Sequence, residues 1–174
     1  MNNATSLPLA TRTTNRSSYA TVSVFAKKAA AKFEENETRD GFPTIQIQAA
    51  KCSSGNNTND RYTWDTDKIQ IQLTRNELPM VTAVLLGLIP EVKYEFRGKD
   101  RNKWFSIKLD DSGKHYLLAL QEKSKDLRMI PILPHDAFYV ANLCLRQLRR
   151  SQPWMTTGDL MISLKVIVGR LSHG

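Results

Sequence analysis

Residues 41–52, GFPTIQIQAAKC, and 61–74, RYTWDTDKIQIQLT, each carry Ile-Gln-Ile-Gln. Successive side chains of a strand point to opposite faces, so the repeat gives each segment one apolar and one polar face. Strands are predicted over Thr44–Cys52 and Arg61–Leu73. Their polar faces hold Gln46, Gln48, Lys51, Lys68, Gln70 and Gln72, with almost no acid. A wet face of amides and cations suits an extended, anionic partner. RNELPMVTAVLL (75–86) then reads as a helix. Thr74 and Glu77 have capping-box spacing, and Pro79 is tolerated because the first helical amides lack partners. Leu78, Val81, Val84, Leu85 and Leu88 form its apolar stripe, and it stops between Gly87 and Pro90.

Working outward, YATVSVFA (19–26) alternates Tyr19, Thr21, Ser23 and Phe25 against Ala20, Val22 and Val24, a strand pattern. The next segment, KKAAAKFEE, has two readings: a helix favoured by alanine propensity, or a second strand ending at Phe33. Between the two Ile-Gln repeats, SSGNNTND (53–60) has loop composition. Past the helix, Glu91–Arg97 sets Val92, Tyr94 and Phe96 against Lys93, Glu95 and Arg97, which places Tyr94 and Phe96 in the core. Lys103–Leu109 sets Phe105, Ile107 and Leu109 against Trp104, Ser106 and Lys108. The turn 110–113 leads to a strand over His115–Gln121, with a further short strand over Leu127–Leu133. A helix from Pro134 to Arg150 carries Phe138, Ala141, Leu145 and Leu148 on one stripe. DLMISLKVIVGRL (159–171) is apolar enough to pack, as strand or as helix. The order is strands, helix, strands, helix, which is an α+β chain. Its parts are a tail (1–18), a main domain (19–152) and a C-terminal extension (153–174) available for an oligomer contact.

The chain of 174 residues has a formal net charge of +8. No acid precedes Glu34, whereas Arg12, Arg16, Lys27, Lys28 and Lys32 do. Further cations run from Lys93 to Lys108, and Arg146, Arg149 and Arg150 end the second helix. Such a balance points to a polyanion, nucleic acid before a membrane surface. The apolar run at Val81–Ile89 falls well short of the roughly 20 residues that span a bilayer. Residues 1–18 are rich in Ser, Thr and Asn without periodicity, and read as a mobile tail or a short organellar targeting peptide. Cys52 and Cys144 follow no metal spacing and read as two unpaired thiols in a reducing compartment, either a bacterial or phage-type cytoplasm or an organelle matrix.

Four stretches, in order, carry a family resemblance: VFAKKAAAKFE (24–34), GFPTIQIQAAK (41–51), RYTWDTDKIQIQLTRNEL (61–78), and DSGKHYLLALQEK through IPILPHDAFYVANLCL (111–145). Over residues 20–150 the chain resembles the Whirly proteins, a plant family that binds single-stranded DNA. That family shares its fold with the kinetoplastid mitochondrial guide-RNA-binding proteins. Lys28 stands where the family has glycine, which bears on any higher assembly through that stretch, and Thr63 stands in place of Asp. The resemblance implies two antiparallel four-stranded sheets with two helices, a homotetramer clasped by the helices, and nucleic acid across exposed sheet edges. It also implies strand rather than helix for Lys27–Lys32.

Sequence-tolerant binding of single strands needs cations for phosphates and flat rings for bases. The candidates for stacking are Tyr62, Trp64 and Trp104. For the backbone they are Lys27, Lys28, Lys32, Lys51, Arg61, Lys68, Lys93, Arg97 and Lys108. Gln46, Gln48, Gln70 and Gln72 can bond base edges or phosphates. Trp64 has a second reading as a core plug, and the glutamines as ordinary strand surface. No catalytic residue, metal or cofactor is expected: the sequence has no glycine-rich phosphate loop or Cys/His pair at useful spacing, and its Asp pairs sit in turn-like stretches. The expected partner is single-stranded DNA, with an RNA-binding or annealing factor as the alternative, and a protein scaffold using Leu160–Leu171 as a further one.

Overall fold

In the computed structural model, which describes residues 19–53 and 61–171, the Ile-Gln repeats become neighbouring strands of one antiparallel sheet. The tail 1–18 and nearly all of the 53–60 loop lie outside the described residues. The first sheet runs β1 (Thr21–Phe25), β2 (Ala29–Glu37), β3 (Pro43–Lys51) and β4 (Lys68–Gln72) in that order. After α1 (Glu77–Leu85) comes a second sheet, again in chain order: β5 (Glu91–Arg97), β6 (Lys103–Leu109), β7 (Tyr116–Glu122) and β8 (Arg128–Ile132). Two helices close the chain, α2 (Pro134–Ser151) and α3 (Thr157–Leu171). The architecture is α+β, two antiparallel four-stranded sheets with three helices rather than two. The third settles the ambiguous 159–171 stretch: Leu160, Leu164 and Val168 recur at helical spacing and are buried. No described helix is long and apolar enough to cross a membrane.

Register explains why the alanine run is a strand. Ala30 and Ala31 pair with Ala50 and Ala49 of β3, and Phe33 pairs with Ile47, itself opposite Ile71. Pairing on both sides and burial outweigh helix propensity. The strand starts at Ala29, so Lys27 and Lys28 form the β1–β2 bend instead of extending β2. The strand expected over Arg61–Leu73 is also shorter. Tyr62 makes only an isolated bridge to Cys52, and the Asp67 amide bonds the Thr63 carbonyl at 3.0 Å, closing a turn that delays the ladder to Lys68. At the start of α1 half of the capping box forms: the Thr74 amide donates to the Glu77 carboxylate at 2.7 Å. The helix ends in a Schellman turn, with Gly87 at φ +70° and bonds from the Gly87 and Leu88 amides to the Val84 and Ala83 carbonyls.

Side-chain assignments on two elements, β5 and α2, are corrected. Tyr94 pairs with Phe105 but Arg97 with Lys103, so β5 carries one extra residue, a bulge. The bulge reverses the alternation: Phe96, expected in the core, is 63% exposed at φ 56°, and Arg97, expected outside, turns inward. A left-handed conformation costs a non-glycine residue about 1–2 kcal/mol. On α2 the buried face runs through Ala137, Val140, Ala141, Cys144 and Leu148, which leaves Phe138 exposed and Leu145 half-buried. Apolar residues occupy more than one side of this helix, so the pattern could not say which side meets the core. Cys52 and Cys144 are both free, and burial pushes the Cys144 thiol up to about 12.

The sheets are joined by cations. The carbonyls of Lys68, Gln70 and Gln72, alternate residues of edge strand β4, accept from Lys125 Nζ (2.6 Å), Lys103 Nζ (3.3 Å) and Arg97 Nη2 (3.2 Å). Glu122 lies within 3.7 Å of both lysines, and Glu77 lies 2.9 Å from Arg97. At the other end of β4, Arg128 is 2% exposed and donates to the Asp67 carboxylate at 2.6 Å and the Asp126 carbonyl at 2.7 Å. α2 lies against β1, β2 and β3, fixed by the ion pairs Arg146–Glu35 (2.9 Å) and Arg150–Glu37 (2.8 Å). One apolar core runs through both sheets and all three helices.

Removing one partner of a buried ion pair strands the other charge. Arg128→Leu is expected to lose about 3 kcal/mol in urea unfolding, with Asp67→Asn in the same chain restoring part of it.

Candidate functional site

The outward face of the first sheet is built from ladder rows. One row is Thr21, Glu34, Gln46 and Gln72, and the next is Ser23, Lys32, Gln48 and Gln70. The third row is Phe25, Ala30, Ala50 and Lys68. Every sequence-predicted glutamine lies here, beside one acid, Glu34. The amides are engaged: Gln46 accepts from Asn36 at 2.7 Å, Gln48 donates to Glu34 at 3.1 Å, and Gln72 donates to the Glu37 carbonyl at 2.9 Å.

Ala30 and Ala50 face outward yet are fully buried. What lies at that end of the face is an aromatic cluster. Phe25 and Tyr62 have ring centroids 5.6 Å apart, and Tyr62 and Trp64 6.3 Å. The Tyr62 hydroxyl donates to the Ala26 carbonyl at 2.9 Å, which ties residues 61–64 back onto the sheet. Lys32 Nζ sits 4.2 Å from the Trp64 ring centroid, and the Arg61 guanidinium 5.5 Å from that of Tyr62. Trp64 is therefore a half-buried ring beside cations and not a core plug. An open pocket of about 240 Å³ is lined by Ser53, Tyr62, Thr63, Trp64, Asp65 and Thr66.

The second sheet repeats the combination. Trp104, Ser106 and Lys108 alternate on the face opposite the buried Phe105 and Ile107, and Lys93 pairs with Ser106. Lys93 Nζ lies 5.4 Å from the Trp104 ring centroid and 2.6 Å from Glu95. Each aromatic station thus carries a cation on its ring, an arrangement worth about 0.5–1 kcal/mol when exposed.

The predicted cations divide by what holds them. Among the described residues Lys27, Lys28, Lys68 and Lys108 make no ion pair, which leaves their charge to solvent. Lys51 does not share the glutamine face as expected: unbroken alternation puts it on the Ile45 and Ile47 side of β3, where it pairs with Asp126 at 2.8 Å. Arg97 is withdrawn: its guanidinium is committed to Glu77 and the Gln72 carbonyl because the bulge turns it inward. Sequence reading missed Phe25, although its alternation with Thr21 and Ser23 placed it on the polar side. It also missed Phe96 and the fixing roles of Lys103, Lys125 and Arg128, for which strand alternation holds no signal. The sequence matches no family model and no curated protein.

If the Tyr62 hydroxyl anchors the cluster, Tyr62→Phe should lower stability by about 1 kcal/mol while keeping the ring in place. Thermal unfolding followed by circular dichroism measures this.

Proposed function

We propose that this protein binds single-stranded DNA without catalysis and with little regard to base sequence. The observation that carries the reading is the pairing of ring and cation on the outward face of each sheet, Lys32 with Trp64 and Lys93 with Trp104. Unstacked bases can lie on those rings, whereas a duplex keeps its base faces covered. Lys27, Lys28, Lys68 and Lys108 meet phosphates, and Lys32 and Lys93 shift from the rings to the backbone as bases arrive. The glutamines exchange their present bonds for base edges or phosphates as each sequence offers. The Whirly resemblance leads to the same function. It also leads to a homotetramer, which the exposed apolar side chains of α2 and α3, among them Phe138, Tyr139, Ile162 and Val166, support as a surface for further copies.

For single strands the logarithm of the binding constant should fall with the logarithm of salt at about −0.7 per phosphate contact. Lys68→Ala and Lys108→Ala should each flatten that slope by roughly one contact. Trp64→Ala and Trp104→Ala should each weaken binding by about 1–3 kcal/mol with the slope unchanged. Competition among single-stranded DNA, RNA and duplex in a filter assay decides the ligand: tighter RNA binding would favour the RNA-annealing alternative. Equal duplex binding, or no loss on removing both tryptophans from a folded protein, would refute the stacking site.

Light scattering at micromolar concentration should give four times the 19.8 kDa chain mass, and a monomer would rule out the assembly.

A further inference from the structure

The β5–β6 hairpin carries a feature that the binding site above does not use. Phe96 is a large apolar side chain, 63% exposed, held at φ 56° by the bulge. Three residues of this tip have positive φ: Phe96, Gly98 at 79° and Arg101 at 51°. A left-handed conformation at phenylalanine and arginine is uncommon, and such strain persists only where surrounding structure fixes it. Here the fixing comes from Arg97, whose guanidinium is 2.9 Å from Glu77 and bonds the Gln72 carbonyl. With Arg97 drawn inward, the residue before it must face out. The tip then folds back so that the Arg101 guanidinium stands 5.3 Å from the Phe96 ring centroid. Lys99 adds a second cation, and Asp100 is the only acid in the tip. A ring with a guanidinium beside it is the same ring-and-cation unit as at Trp64 and Trp104, here built from the backbone outward.

We propose that Phe96 and Arg101 form a third stacking station, which takes one unpaired base on the phenyl ring and its phosphate on the guanidinium. The station rests on the single-strand reading above and extends it to a hairpin tip tied to the end of β4. Because the ring is held by a strained turn rather than by packing, it stands ready for a flat ligand without rearrangement, so little is lost in ordering it on binding. Stacking on a phenyl face asks for no particular base, in keeping with sequence tolerance.

The test uses the full chain and fluorescence anisotropy with two labelled oligomers of equal length, oligo(dT) and an abasic backbone. Phe96→Leu should weaken oligo(dT) binding about 5- to 150-fold and leave the abasic oligomer unchanged. Phe96→Tyr should stay near wild type. Arg101→Gln should reduce the salt slope by about 0.7 on both oligomers. Unchanged oligo(dT) affinity of Phe96→Leu, in a protein that binds oligo(dT) and is weakened by Trp64→Ala, would overturn the station and leave the function standing. Equal loss of Phe96→Leu on the abasic oligomer, or a change in its mass by light scattering, would also overturn it, assigning Phe96 to the backbone or to a protein contact. Failure of the wild-type chain to bind either oligomer would instead remove the reading on which the station rests.

Discussion

The capping of strand β4 by cations from the second sheet holds the two halves of the chain together. β4 is a five-residue edge strand, and an uncovered edge leaves carbonyls to pair with whatever arrives. Lys125, Lys103 and Arg97 fill three of those acceptors at alternate residues, and Arg128 locks the turn that precedes them. The clamp is ionic on its far side too, through Glu122, Glu77 and Asp67. Part of the chain's positive charge is therefore internal glue. The clamp's four cations are nearly balanced by its three acids, so almost all of the net +8 lies outside the clamp.

Glu77 is where several demands meet. It is 4% exposed, accepts from the Thr74 amide at the helix start, and needs a cation. Arg97 is that cation, and it reaches inward only because β5 inserts one residue before it. A regular strand would leave Glu77 buried without its counter-charge, which costs more than the left-handed turn at Phe96. The exposed phenyl ring follows from that choice. One helix cap thereby sets a strand register and the chemistry of a hairpin tip some twenty residues away.

This chain of consequences also marks the limit of what the sequence discloses. The alternation in residues 45–48 and 68–72 read correctly because those stretches have core on one side and solvent on the other; it broke down at Lys51, which falls on the Ile45 and Ile47 side of β3. The second sheet's strands were legible for the same reason, apart from the bulge. Nothing in Glu-Phe-Arg-Gly distinguishes a regular strand from a bulged one, since the deciding partner, Glu77, lies on another element. Ala29–Ala31 had two readings from the residues alone, with local propensity favouring helix; pairing across β1 and β3 gives the strand that the family resemblance implied. Trp64 was ambiguous because its neighbours in space, Lys32 and Tyr62, depend on how residues 61–66 fold back over the sheet. Single residues reveal their chemistry in sequence. Their company in space does not.

Under the function proposed above, the two faces of the first sheet would let binding and assembly coexist. α2 covers the inward side, where Arg146 grips Glu35 and Arg150 grips Glu37, both on the β2 side that shares Phe33. The exposed apolar residues of α2 and α3 lie beyond that layer, away from the glutamine and lysine rows. A second copy seated on those helices would bury Phe138 and Ile162 and leave Trp64, Lys32 and Lys68 in water. The outward amides are already satisfied by neutral or single-acid partners, so the face can trade bonds with a ligand at small cost. Firm ionic bonds hold the sheets to each other and to α2, and exchangeable ones remain on the outside. That division lets a rigid scaffold present a tolerant surface.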